Sequence, residues 1–303
     1  MPKPFTMSDR LSAAILTVTA VLCFSSTDAL GKLIISQGVD PMFASMVRFL
    51  IQGFLVAVIF RVWAGPARFL PGRGRVTLQL FRGALLVVSG ALVFLAVQTL
   101  HLAELVSIIF LAPMMITLMA RLFLGERIEW QRYGAILAGF SGVLVIVRPG
   151  FQGIDPGHVY AFLATSTYSG FSVLTRLMGS SQSQESMMIM PSLVALVAMA
   201  PPVLALAPVP SMSSHWIVMV AMGVLNTLGQ FLMLSAYRRA NASDVAPYIY
   251  AQMVWAVALG WLLFAELPDL WTISGSALIV ASGLYLVLRD RRIAEVEVTT
   301  RAS

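Results

Sequence analysis

A single cysteine, Cys23, leaves no partner for a disulfide framework and no CxxC pair for metal or redox chemistry. Charge is scarce too: 11% of the residues are Asp, Glu, Lys or Arg, against 58% hydrophobic ones, too little polar surface for a water-soluble globule. Histidine is confined to His101, His158 and His215, each near the end of an apolar run. The chain has no His-Glu-x-x-His and no GxxxxGK[ST] loop, and Gly139-Phe140-Ser141-Gly142 lacks the final spacing of a nucleophile elbow. Zinc hydrolysis, an ATP motor and serine hydrolysis are therefore not expected of this chain, and neither a metal nor a cofactor is implied. A net charge of +6 invites a nucleic-acid reading, but the basic residues are scattered over short loops with no aromatic-interleaved patch, so no nucleic-acid partner is expected.

What the chain does have is length in apolar runs. Ten stretches of about 20 residues, each enough for a helix to cross a hydrocarbon layer of ~30 Å, fall at 11–35, 42–63, 77–100, 103–123, 132–148, 157–177, 186–207, 215–237, 244–264 and 271–288. Dyad alternation is absent, so helices rather than a barrel satisfy the backbone in lipid. The first run carries Asp28 and Lys32 and no convincing A-x-A cleavage site, and reads as a retained span. Arginines fall on alternate sides: Arg10, Arg61, Arg68, Arg73, Arg75, Arg121, Arg127, Arg132, Arg176, Arg238, Arg239 and the Arg289 to Arg292 cluster share one side, while Arg148 stands alone on the other. That bias places both termini in the cytoplasm.

An internal repeat organises the spans. A shift of 140 residues superposes Gly83 on Gly223, Glu104 on Asp244 and Glu126 on Glu266; a shift of 141 superposes Gly134 on Gly275, Ser141 on Ser282, Gly142 on Gly283 and Arg148 on Arg289. Lys32 corresponds to Arg176 at a shift of 144. Five spans per half is an odd number, so the halves run in opposite directions. The expected fold is an all-α membrane protein of ten transmembrane helices, built as two inverted-topology five-helix repeats over 11–148 and 157–288 with a cytoplasmic tail at 289–303. Such carriers hold substrate near the midplane, between the halves.

Charge inside a span costs about 2.5–3.5 kcal/mol at the helix centre on insertion scales, so each case is a functional hypothesis. Asp28 and Arg48 lie at similar depth, on the order of 10 Å below the outer surface at 1.5 Å per residue, and Lys32 shares the Asp28 face at i+4. Together they suit a substrate carboxylate or phosphate, or an outer gate; a structural ion pair is the competing reading. Arg82 suits snorkelling or a bond to a neighbouring carbonyl, and Glu104 and Asp244 suit helix N-termini. Spans 4 and 9 each contain a helix-breaking proline, Pro113 and Pro247, and are the best lining candidates. Tyr248, Gln252 and Trp255 recur at i, i+4 and i+7, offering stacking and hydrogen bonds to an aromatic or heterocyclic ligand. Asn226 and Gln230 add a polar face to span 8, for substrate or for a neighbouring helix. Gly134, Ala138 and Gly142 permit close helix packing.

Two long stretches carry a family resemblance. One runs from Arg82-Gly83 through His101-Leu102-Ala103-Glu104 and Leu124-Gly125-Glu126-Arg127 to Val147-Arg148-Pro149-Gly150. The other runs from Ala246-Pro247-Tyr248 through Gln252, Trp255 and Glu266 to Ser282-Gly283-Leu284-Tyr285. They resemble the drug/metabolite transporter superfamily in its EamA branch. The segment from Ala246-Pro247-Tyr248 to Glu266-Leu267-Pro268-Asp269 looks most like carriers of riboflavin or S-adenosylmethionine. The resemblance implies a bacterial inner-membrane carrier of a small, partly aromatic or zwitterionic metabolite, working between the lipid bilayer's two sides with a coupling ion or counter-substrate. An exporter of aromatic amino acids or drug-like compounds is the alternative direction, and a non-transporting receptor or assembly subunit the alternative class. The chain departs from the family pattern where Ala265 replaces the counterpart of Gly125, and Trp261 that of Arg121.

Overall fold

The computed structural model describes residues 7–61, 65, 76–124, 130–148, 155–178, 184–206, 209–210, 212–237, 239–240, 245 and 248–302. Among them every regular element is α-helical: α1 (Met7–Ser36), α2 (Pro41–Ile59), α3 (Val76–Ala96), α4 (Leu102–Ile109), α5 (Ala112–Leu124), α6 (Trp130–Val147), α7 (Pro156–Met178), α8 (Gln184–Leu206), α9 (Ser213–Tyr237), α10 (Ala251–Phe264) and α11 (Leu270–Ala302). Because α4 and α5 are the two halves of one broken span, the eleven segments make the ten spans expected. Among the described residues five helices are long and apolar enough to cross a membrane, and four shorter apolar helices accompany them.

Local chemistry sets the helix ends. Asp40 precedes Pro41 and its carboxylate accepts the Phe43 N–H at 2.9 Å, so α2 starts with a capped first turn. Glu104 reaches back to the His101 N–H at 3.2 Å and closes the start of α4. Pro113 has no N–H to give the carbonyl four residues earlier, which is why the span breaks between Ile109 and Ala112. At the far end, α11 continues beyond Leu288 through the charged tail, where Ala, Glu and Arg all favour helix.

The helix pairings obey a two-fold. Exchanging α1 for α7, α2 for α8, α3 for α9, the α4–α5 span for α10, and α6 for α11 maps the α1/α9 contact onto α7/α3, and the α2/α9 contact onto α8/α3. It maps α1/α10 onto α7 against α4 and α5, while α2/α8, α4/α10 and α6/α11 map onto themselves. Individual atoms follow the same rule. A Cβ at Gly83 of α3 would meet Val194 of α8, and one at its repeat mate Gly223 of α9 would meet Ile51 of α2. The Ser169 hydroxyl of α7 donates to the Ala112 carbonyl at 3.4 Å, and the Ser25 hydroxyl of α1 donates to the Gln252 carbonyl at 3.4 Å. Phe110 and its mate Tyr250 meet each other edge to face, ring centroids 5.0 Å apart, on the axis itself. Since five crossings separate each residue from its mate, this axis relates halves of inverted topology.

One continuous apolar core of buried residues runs through both halves, with Phe94, Leu105, Ile108, Leu111, Met114, Met219 and Ile279 fully enclosed. The α6 and α11 backbones touch closely at Gly142 and Gly275, as the small-residue spacing implies, whereas Gly134 faces open space.

Candidate functional site

The sequence-chosen residues fall into four sets. Arg48 of α2 is 8% exposed and lies over two aromatic rings, with its guanidinium carbon 4.9 Å from the Phe49 centroid and 4.8 Å from that of Phe94. Gly90 of α3 leaves room for it, since a Cβ there would overlap Nη2. Asp28 of α1, also 8% exposed, is the charge that Arg48 feels most directly. Yet the pair is not among the ion pairs within 4.0 Å found in the described residues, and neither side chain hydrogen-bonds to another described residue. The Arg48 Nε is buried with no acceptor.

Lys32 leaves this cluster. One turn further along α1, its long stem carries Nζ to the Leu100 carbonyl at 2.8 Å and to a Glu266 carboxylate oxygen at 2.5 Å, above the Phe264 ring. The lysine thus clasps α1, the turn before α4 and the connection after α10. Glu266 is aimed at it by Ala265, which sits in the left-handed region at φ 56° while the Glu266 N–H turns back to the Gly260 carbonyl. Two more ties hold the same end of the bundle. Arg148 pairs with Asp269 at 2.6 Å, and the Thr99 hydroxyl donates to Asp155 at 2.5 Å. That hydroxyl is the main reason the Asp155 carboxyl lies below its ordinary value, against a smaller opposing effect of burial. At Asp269 burial is the largest influence and works upward. It is outweighed by the Thr272 N–H and hydroxyl together with Arg148, so this carboxyl too lies below its ordinary value.

The amides of α9 find a helix partner. Asn226 donates to the Gln52 carbonyl oxygen at 2.8 Å, and Gln230 to the same atom at 3.3 Å. Gln52, one turn beyond Arg48 on α2, completes this network and was not singled out by sequence reasoning; its spacing of four from Arg48 was the available signal. In the last set, Gln252 is 9% exposed with its backbone carbonyl taken by Ser25, and the buried Trp255 indole N–H has no acceptor. Tyr248, 44% exposed, stands outside α10 and turns from the core. The inward tyrosine is Tyr250, against Phe110 and against Gly283, whose missing side chain makes room for the hydroxyl. Aligning Phe110 with Tyr250 at the 140-residue shift would have found it.

Arg82 is 1% exposed and fully engaged: Nε donates to Gln79 at 3.1 Å, Nη1 to the Thr175 hydroxyl at 2.9 Å and Nη2 to the Met187 carbonyl, over the Phe171 ring. It fastens α3 to α7 and α8. Glu126, Asp244, Pro247 and the Arg176 side chain lie outside the described residues.

With this geometry in view, the matches to known proteins are specific. The EamA-like transporter family matches residues 11–148 and 155–289. The chain belongs to that family. It is 23% identical over 279 residues to an S-adenosylmethionine uptake transporter of Rickettsia felis, covering 86% of this chain and 91% of the relative. It is 27% identical over 276 residues to the pseudopaline exporter CntI of Pseudomonas aeruginosa, covering 91% and 95%. A riboflavin transporter of Brucella anthropi is 29% identical over 196 residues, covering 62% and 68%. A solved crystal structure superposes with a TM-score of 0.61 at 21% identity, covering 94% of this chain and 97% of the other, and shares the fold. This EamA-family chain is a multi-pass membrane transporter of small metabolites.

Proposed function

We propose that the chain is a secondary carrier that moves a small organic metabolite, a vitamin or a nucleoside or amino-acid derivative, across the bacterial inner membrane by alternating access. Both termini are cytoplasmic, the repeats span 11–148 and 157–288, and residues 289–303 form a cytoplasmic tail. The observation that carries this reading is a pair of buried donors on α2 and α10 with no acceptor among the described residues, the Arg48 Nε and the Trp255 indole N–H, near a buried Asp28 that makes no ion pair within 4.0 Å among those residues. A pure scaffold has no use for such groups, because each unpaired polar atom in a low-dielectric interior costs about 1–3 kcal/mol. A carrier uses them to replace the water its solute leaves behind.

In this assignment Trp255 and Gln252 stack against and hydrogen-bond the heterocycle, with Tyr248 where the solute enters or leaves. Asn226 and Gln230, tied to Gln52, form a polar wall that re-pairs as solute arrives. Asp28 and Arg48 read charge. Lys32 acts as the outer gate by way of Glu266: the arginine bias puts the clasped end of the bundle outside, and the clasp must open for the site to face that way. Rocking of one repeat against the other exposes the site to each side in turn, driven by a coupling ion or counter-substrate.

The test is substrate exchange in proteoliposomes loaded with S-adenosylmethionine, riboflavin, nucleosides or amino acids, run in both directions because the relatives include uptake carriers and an exporter. Trp255→Ala is expected to weaken the affinity of the exchanged solute at least tenfold while thermal stability moves little. Equal loss of both removes the direct contact, and absence of any exchange by folded protein removes the carrier reading in favour of a receptor or assembly subunit.

A further inference from the structure

We infer that the connection between α10 and α11, residues 265–269, is seated in the outer leaflet of the bilayer, and that phospholipid there is the partner that keeps the outer clasp shut; the choice of leaflet rests on the carrier topology proposed above. The segment has two unlike sides. Glu266 and Asp269, three residues apart, both turn to cations of the first repeat, Glu266 to Lys32 at 2.5 Å and Asp269 to Arg148 at 2.6 Å. Leu267 and, just past the turn, Leu270 and Trp271 are 63%, 79% and 56% exposed, and they extend the exposed apolar end of α10 at Trp261, Leu262 and Leu263. A patch of that kind marks contact with a membrane or another protein. Leu267 also takes the place of Arg127 at the 140-residue shift, so the second repeat has exchanged a charge for an apolar side chain.

Depth names the occupant. From Leu270 to Leu288 α11 carries no charge, and those 19 residues rise about 28 Å, slightly less than the ~30 Å of hydrocarbon a span must cross. With Arg289, Arg291 and Arg292 at the cytoplasmic headgroups, Leu270 cannot stand above the outer hydrocarbon boundary, and any tilt draws it lower. Trp271 then lies at the depth of the aromatic belt, its ring centroid 5.9 Å from the guanidinium carbon of Arg148. The turn is stiff. Ala265 and Glu266 donate their N–H groups to the Trp261 and Gly260 carbonyls at 3.0 and 3.1 Å, and Asp269 accepts the Thr272 N–H at 2.7 Å, so lipid that moves Leu270 moves the two carboxylates with it. Drawing a pair of opposite charges toward hydrocarbon raises the work of separating them. A thicker bilayer therefore holds the outer clasp more tightly, and a thinner one less.

The test needs no solute. Nitroxides on Leu267→Cys and Leu270→Cys, in a Cys23→Ala background in phosphatidylcholine nanodiscs, are expected to collide with oxygen more than with a water-soluble nickel chelate. A label on Ser36→Cys, exposed at the end of α1, should show the reverse. If a labelled variant fails to fold, brominated lipid supplies the same reading from the native tryptophan: the quenched fraction of the fluorescence should fall in Trp271→Phe relative to wild type. The melting loss caused by Glu266→Gln should be roughly twice as large in dierucoyl as in dimyristoleoyl phosphatidylcholine nanodiscs. Nickel access equal to that at Ser36, or an unchanged quenched fraction, puts the turn in water and overturns the inference. Dipolar broadening between labels gives the surface to a second copy and does the same. Equal melting losses in the two lipids overturn the hold of lipid on the clasp. None of these readouts depends on transport, so every result leaves the carrier reading to the exchange assay.

Discussion

The Lys32–Glu266 clasp lends itself to a double-mutant cycle with Lys32→Met and Glu266→Gln. At 2.5 Å and an effective dielectric near 20, the Coulomb attraction is about 6–7 kcal/mol. Each charge's own desolvation cancels in such a cycle, but the side chains keep 11% and 20% exposure, and solvent screening through it lowers the coupling well below the Coulomb figure. The coupling should come to roughly 1–3 kcal/mol, above the 0–1 kcal/mol of a solvent-exposed pair. An internal control lies at the same end of the bundle. Arg148 and Asp269 are 2.6 Å apart, almost the same separation, but Asp269 is 43% exposed. That pair should therefore couple by less than about 1 kcal/mol. Thermal unfolding in detergent, at low salt and at roughly 0.5 M salt, measures both cycles. Salt should erase most of the Arg148–Asp269 coupling and leave most of the other, because a pair enclosed by protein is screened less. Equal couplings, or equal loss to salt, would refute the reasoning that burial rather than distance sets the strength of the clasp.

Three further outcomes are expected. Gly142→Ala places a methyl 2.7 Å from the Gly275 carbonyl oxygen and 2.7 Å from Ile279 Cγ1, and should destabilise by about 1–3 kcal/mol because backbone cannot step aside. Gly134→Ala, with nothing within 4 Å, should instead stabilise by about 0.5–1 kcal/mol through helix propensity; matching melting shifts for the two variants would contradict this. Ala265→Gly should raise stability by about 1 kcal/mol, since a side chain at φ 56° is strained, and a fall in melting temperature would show that the Ala265 methyl packs usefully. For Thr99→Val, the Asp155 carboxyl lies below its ordinary 3.8 in the folded chain, so its contribution is fully present above that value and is lost as pH falls through the folded one. The melting difference between wild type and variant should therefore be present at neutral pH and shrink below about pH 4; a difference that grows on acidification would reverse the sign of the argument.

The fold was legible because its determinants are local or periodic. Span length, arginine bias and the 140-residue repeat all survive projection onto a string of letters, and the repeat even carries the register that brings Phe110 and Tyr250 onto one axis. Partner choice does not survive that projection. Lys32 shares a helical face with Asp28, but its four-carbon stem reaches Glu266, 234 residues away along the chain. Asn226 and Gln230 read equally well as lining or as packing until Gln52 is found beside them. Tyr248 and Tyr250 differ by two positions, and only the start of α10 decides that the second faces the core.

The two buried arginines sharpen this point. Arg48 and Arg82 both interrupt apolar runs, both lie over phenylalanine rings, and neither shows in the sequence which will be structural. Depth left Arg48 open to a solute role or a structural ion pair and gave Arg82 a structural one, and their partners in the fold separate them. Arg82 donates to an amide, a hydroxyl and a backbone carbonyl from α3, α7 and α8, so its charge is consumed in joining helices across the two halves. Replacing it strands those acceptors and loosens the contact between repeats. Among the described residues Arg48 meets the Phe49 and Phe94 rings and packs on Gly90, all from the first half, and its Nε has no acceptor. A membrane interior tolerates a charge in the first state because the bonds offset desolvation, and in the second where water or a bound molecule can complete the pairing. Arg82 therefore belongs to the frame that joins the repeats, and the carrier reading proposed above assigns Arg48 to the solute.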